Sequence, residues 1–148
     1  MKIPSADELA LAVASAHAMW DRDRASRALG ITLEEVSPGY ARTNMTIDET
    51  MVNGHAIAHG GMLFTLADST FALACNSRNV PNVALQCSIS FVGAVRLGDR
   101  IVAEAHECSL KGRTGVYDVT VVRGDETVAL FRGVCYRVSG SVIGESPG

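Results

Sequence analysis

Aromatic residues are scarce in this chain: Phe, Tyr and Trp make up 5% of its 148 residues. A core built mainly on ring stacking is excluded. The interior has to come from Ala, Val, Leu and Ile, within a composition that is 47% hydrophobic. Long uncharged runs are missing too. No stretch of about 18 uncharged apolar residues occurs, which excludes a membrane-spanning helix. Clusters of Lys and Arg are absent and the net charge is −3. That balance argues against a nucleic-acid or anionic membrane surface. The first eight residues, Met1 to Glu8, carry acids and no apolar segment with a cleavage site, so no signal peptide is expected. Cys75, Cys87, Cys108 and Cys135 form no CxxC pair and no Cys/His ligand spacing, so no metal site is expected. Each lies in an apolar or alternating segment and reads as a reduced, buried thiol in a cytoplasmic protein.

What is present fits one domain. A chain of this length buries roughly 70% of its unfolded surface, and its apolar content is too high for disorder. Residues 1–28 hold a helix from Ser5, its N-cap, with Asp7 and Glu8 in the first turn, and Gly30 ends it. Residues 31–36 and 40–47 read as two strands around Ser37-Pro38-Gly39. A second helix covers 60–77, and its one charge is Asp68. Alternating, Val-rich segments at 83–95, 100–110, 115–123 and 126–138 read as strands. Three short turns between them predict an antiparallel meander. The Gly/Ser-rich tail, 139–148, is expected to be loose. The order, with no βαβ alternation, predicts an α+β domain: one antiparallel sheet wrapped over one apolar helix.

The second helix carries the chemistry. At about 100° per residue, Thr65, Asp68, Ser69, Ala72 and Asn76 fall on one stripe. The other faces are apolar and must be covered by the sheet. A carboxylate mid-helix among apolar neighbours costs several kcal/mol unless it is paired or hydrogen-bonded. Asp68 therefore has two open readings. It is bonded to a Ser/Thr hydroxyl or a distant Arg, or it is a catalytic carboxylate whose proton affinity is set by its surroundings. His59-Gly60-Gly61 marks the helix start, where free N–H groups favour a developing negative charge. It also reads simply as a tight helix entry. Gly60 and Asp68 are about 12 Å apart along one helix, whereas reacting groups must lie within about 3–3.5 Å. Two antiparallel copies of the helix across a two-fold axis bring Asp68 of one near Gly60 of the other. An obligate dimer with interfacial active sites is expected. His17, His55 and His106 read as bystanders or loop structure, while His59 is placed to orient the loop.

Asn53-Gly54-His55, His59-Gly60-Gly61, Leu66-Ala67-Asp68-Ser69 and Cys75-Asn76-Ser77 together resemble the hotdog-fold acyl-CoA thioesterases of the PaaI type. These act in aerobic phenylacetate degradation. The likeness continues through 112–119 and 127–133 and covers nearly the whole chain. It implies a single hotdog thioesterase domain over 1–148, a long helix wrapped by an antiparallel sheet, paired into dimers and usually tetramers. The Gly60 N–H would polarise the thioester carbonyl, with Asp68 of the partner acting as base on water or as nucleophile. Asn53, His59, Gly61, Thr65 and Ser69 would shape the loop or meet substrate and water. Ser69 stands where close relatives often carry Thr. Arg113 would meet the coenzyme A phosphates. The reaction this resemblance implies gives free acid and CoA, from phenylacetyl-CoA or a ring-hydroxylated form of it. Such a hydrolysis needs a polarising donor and a base, and neither metal nor cofactor. Two alternatives on the same architecture are an acyl-thioester dehydratase or hydratase, which uses a His with an acid, and a non-catalytic acyl-CoA-binding module.

Overall fold

The computed structural model describes residues 2–144. Helix α1 (Ala6–Arg22) starts at the expected cap: Ser5 Oγ accepts the Glu8 N–H at 3.1 Å, and the Glu8 carboxylate accepts the Ser5 N–H at 2.8 Å. The expected single helix is in fact two. Asp23 takes an extended conformation and caps a short α2 (Arg24–Ala28), its side chain accepting the Ser26 N–H. Asp competes for backbone donors in this way, so it ends one helix and begins the next. Gly30, at φ +72°, turns the chain into β1 (Thr32–Ser37).

A two-residue turn at Pro38-Gly39 joins β1 to β2 (Tyr40–Thr46). After the central helix α3 (Gly60–Cys75) come β3 (Asn82–Phe91), β4 (Arg100–Lys111), β5 (Thr114–Arg123) and β6 (Glu126–Arg137). The sheet order is β1-β2-β4-β5-β6-β3, antiparallel throughout. The expected meander holds for β4, β5 and β6. It fails for β3, which pairs with β6 at the far edge rather than with β4. The connection after β3 is not a hairpin. It crosses the segment before α3, where Ala58 N–H donates to Val95 O at 2.7 Å and Ile57 bridges Arg96.

The sheet wraps α3 as expected. Leu63, Leu66, Ala67, Phe71, Leu73 and Ala74 of α3 are buried against Ala41 and Met45 of β2, Ile101, Ala103 and Ala105 of β4, Val119 and Val121 of β5 and Phe131 of β6. Small residues allow the close approach: a Cβ on Gly133 would lie 2.7 Å from the Phe71 ring. Four of the chain's eight aromatic residues gather here. Phe71 meets Tyr117 and Phe131 at 5.7 and 5.9 Å between centroids, and Phe64 meets Phe131 at 5.5 Å. Rings fill the gap beneath the helix, and Ala, Val, Leu, Ile and Met side chains fill the rest. A buried hydroxyl pair on this surface is closed: Thr70 donates to Leu66 O at 2.7 Å, so Thr43 donates to Thr70, also at 2.7 Å.

Edge strand β3 leaves Val83, Leu85 and Phe91 half exposed or more. The tail is not loose as far as residue 144. Asn79 Oδ1 accepts from Ser141 Oγ and Ile143 N, Val138 N–H donates to Pro81 O, and Val142 is buried. Its last four residues, 145–148, lie outside the described residues. Among the described residues, no helix is long and apolar enough to cross a membrane.

Candidate active site

Helix α3 presents the predicted stripe. Thr65, Asp68, Ser69 and Ala72 are half-buried, while the faces turned to the sheet are buried. Asn76 departs from it. It is buried, its Nδ2 donates to Ala72 O at 2.8 Å and its Oδ1 accepts the Asn82 N–H at 2.8 Å. Asn76 thus ties the end of α3 to the start of β3 and is not part of an open site.

Among the described residues, Asp68 has no cation and no Ser or Thr hydroxyl as partner. Its one hydrogen-bond donor is Cys87 of β3, Sγ to Oδ1 at 3.8 Å. Burial pushes its carboxyl above the ordinary carboxylate value. The Cys87 thiol opposes this, and the negative charge of Asp23 adds to it. The Cys87 thiol is itself pushed up to about 11 by burial and by Asp68, so it stays protonated and donates. A half-buried carboxylate with so little compensation has an enhanced affinity for protons. That is the property a general base needs.

The helix start divides its donors. His59 caps α3: its Nδ1 accepts the Gly61 N–H at 2.9 Å, which places the ring proton of a neutral His59 on Nε2. Gly61 therefore has no N–H left for a substrate. The Met62 N–H goes to His59 O at 2.9 Å. No described residue accepts from Gly60, so its N–H is the donor available at the positive end of the helix dipole. A Cβ on Gly60 would come within 2.9 Å of the Phe91 ring, so Phe91 of β3 lies directly against this position.

The loop before α3 is self-braced. Asn53 Oδ1 accepts from His55 N at 2.9 Å and Ile57 N at 3.2 Å, and Ala56 adopts φ +59° within it. Asn53 thus shapes the loop through its oxygen. Thr65 Oγ1 donates to Gly61 O at 2.9 Å, inside the helix. Ser69 Oγ lies 2.7 Å from Ser26 Oγ of α2.

Arg113 is exposed in the β4–β5 turn, where its carbonyl accepts the Arg137 N–H at 2.7 Å. It lines a cleft of about 540 Å³ with Tyr136, Arg137, Val138 and Ser139. Lys111, Arg113 and Arg137 carry no ion pair among the described residues. A second cleft joins Arg137 and Gly112 to Cys75, which places Arg137 at the C-terminal end of α3, opposite Gly60. His17, His55 and His106 are exposed, and His106 packs against Tyr40. All four cysteines are free; Cys108 is exposed and Cys87 half-buried, contrary to the expectation that each is buried. No three His, Cys, Asp or Glu among the described residues converge to hold a metal.

Sequence reasoning missed Asp23, Ser26, Cys87 and Phe91. Only Asp23 carried a local signal, as a capping residue inside a helical run. The other three meet the site through tertiary packing.

The Thioesterase superfamily model matches residues 55–130, which contain the α3 start and Asp68. The acyl-coenzyme A thioesterase PaaI of Escherichia coli (strain K12) is 43% identical over 133 residues, spanning 89% of this chain and 95% of that protein. The structure of the E. coli PaaI protein, from the phenylacetic acid degradation operon, superposes with a TM-score of 0.88 at 41% identity, covering 90% and 98% of the two chains. A point mutant of the phenylacetic acid degradation protein PaaI from Thermus thermophilus superposes at 0.77 with 40% identity, covering 78% and 100%. A central helix wrapped by one antiparallel sheet, together with these relatives, marks a hotdog-fold thioester hydrolase. The chain belongs to the thioesterase superfamily.

Proposed function

We infer that the substrate is an acyl-coenzyme A thioester, cleaved to free acid and CoA, and that the acyl group is phenylacetyl or a ring-hydroxylated relative. The similarity to PaaI over most of both chains supports this substrate class. The observation that carries the chemistry is the pairing of an open Gly60 N–H with a proton-seeking Asp68 on one helix.

In this reading the Gly60 N–H and the helix dipole stabilise the oxyanion formed from the thioester carbonyl. Asp68 takes a proton from water as that water attacks the carbonyl carbon, and the CoA thiolate leaves. His59 holds Gly61 so that the helix start is rigid, and Asn53 braces the loop. Ser69 and Thr65 flank the water. Gly61 contributes its lack of a side chain rather than its N–H.

The two reacting groups belong to different subunits, because eight residues of helix separate them by about 12 Å. The exposed apolar edge of β3 and the small residues of the stripe support a homodimer, assembled further into a tetramer. Arg113, with Lys111 and Arg137 near it, receives the CoA phosphates. Four free thiols support a cytoplasmic setting.

A panel of acyl-CoAs assayed for free CoA tests the substrate reading. Aryl-acetyl thioesters are expected to be hydrolysed with the highest kcat/KM. Release of CoA from none of them would contradict it.

A further inference from the structure

A line of three side chains runs from the α1–α2 junction to the stripe of α3. Asp23 Oδ1 accepts the Ser26 N–H at 2.8 Å, and Asp23 Oδ2 accepts the Ser26 hydroxyl at 2.6 Å. Ser26 Oγ in turn lies 2.7 Å from Ser69 Oγ, and Ser26 is 2% exposed. A carboxylate only accepts, and a serine hydroxyl has a single proton. The Ser26 hydroxyl therefore donates to Asp23, and the contact between the two serines has to be closed by Ser69 donating to Ser26. Ser69 is left with lone pairs alone toward the open stripe.

Thr65 is in the same condition, since its proton goes to Gly61 O. The Cys87 thiol donates to Asp68. The surface around Asp68 thus offers acceptors: a carboxylate and two hydroxyl oxygens. Such a set suits a water molecule, which brings two O–H donors, and repels a carbonyl oxygen, which brings none. The carbonyl is left to the Gly60 N–H. Asp23 and Ser26 lie outside the 55–130 stretch that defines the family match.

We propose that Asp23 is a positioning residue for the hydrolysis: acting through Ser26, it fixes Ser69 as an acceptor that holds the attacking water beside Asp68. The inference rests on Asp68 being the carboxylate that serves the thioester. It makes the N-terminal helices part of the catalytic apparatus rather than a cover for the sheet.

Asp23→Asn separates this role from a structural one. Asn caps a helix as well as Asp does, and its Oδ1 still accepts the Ser26 N–H. Its Nδ2 donates to Ser26 Oγ, which turns the Ser26 proton onto Ser69 and the Ser69 proton outward. The fold is retained and the chain of donors is reversed. The variant is expected to melt as the wild type does, keep its KM, and lose about three- to tenfold in kcat on an acyl-CoA. Ser69→Ala should lower kcat, and adding Asp23→Asn to it should cost nothing further, because the effect passes through Ser69. An unchanged kcat in Asp23→Asn, or losses that multiply in the double variant, would overturn the proposal. Asp68→Asn run alongside isolates the reading beneath it. If that variant is inactive while Asp23→Asn is unaffected, only the positioning role fails. If it keeps full turnover, the assignment of Asp68 fails and the positioning role fails with it.

Discussion

Cys87 Sγ stands 3.8 Å from Asp68 Oδ1 and is the one hydrogen-bond donor that the carboxylate has among the described residues. The titratable groups acting on Asp68 come from two elements: Cys87 on β3 and Asp23 at the α1–α2 junction. In the proposed mechanism Asp68 works only when ionised, so the rate should fall as pH drops through its value. Burial raises that value, so the acidic limb of the kcat profile should lie above the ordinary carboxylate value. Cys87→Ala removes the one group that lowers it and should move the limb to higher pH. Asp23→Asn removes a negative charge and should move it to lower pH. Opposite shifts in pH–rate profiles check the electrostatics; a common shift would contradict them.

The same burial bears on stability. A carboxylate whose folded value is raised contributes stability that is complete below its unfolded value, near 3.8, and is lost as pH rises through the folded one. At neutral pH the ionised Asp68 therefore works against the fold. Asp68→Asn should lower kcat by about 10²–10⁴-fold while raising Tm. A gain of 1 kcal/mol corresponds to roughly 2–4 °C for a chain of this size. Thermal melts at neutral pH and near pH 4 should show the advantage shrinking as the wild-type carboxyl takes up its proton.

His59→Ala takes away the cap of α3, a loss of about 0.5–2 kcal/mol. It also frees the Gly61 N–H and loosens the helix start, so kcat should fall together with Tm. His59→Asn restores a capping acceptor and should recover most of the Tm. Circular-dichroism melts with parallel kinetics distinguish cap from catalyst.

Arg113→Ala should raise KM for an acyl-CoA and leave kcat unchanged. With a thioester truncated to remove the CoA phosphates, the same substitution should change neither constant. Equal effects on both thioesters would remove Arg113 from phosphate recognition.

The helix stripe could be read from sequence because its cause is local: 3.6 residues per turn and one charge in an apolar run. Asp68 is found that way and Gly60 from the glycine pair at the helix start, while Asn76 is misplaced by the stripe rule, since helical angle says nothing of the strand that follows. The β3 pairing was hidden because a turn-like Arg96-Leu97-Gly98-Asp99 looks the same whether the chain folds back or crosses over. Asp23 read as interior to a helix, although its side chain ends one. Ser26, Cys87 and Phe91 reach the site across tertiary contacts that no spacing encodes.

In the proposed assembly each site takes Gly60 from one subunit and Asp68 from its partner. Gly60→Pro deletes the N–H at the first helical position, where Pro is tolerated, and His59 before it is already extended at φ −62°, ψ 133°. The ring of Phe91, 53% exposed, has room to turn away from the added carbons. Gly60→Pro and Asp68→Asn proteins, each inactive alone, are unfolded together, refolded as a mixture and assayed for CoA release. Half of the dimers are then hybrids with one intact site, and activity should return to about a quarter of the wild-type value. Activity no higher than that of the two parents would mean that both residues serve the same chain's site, and would contradict the claim.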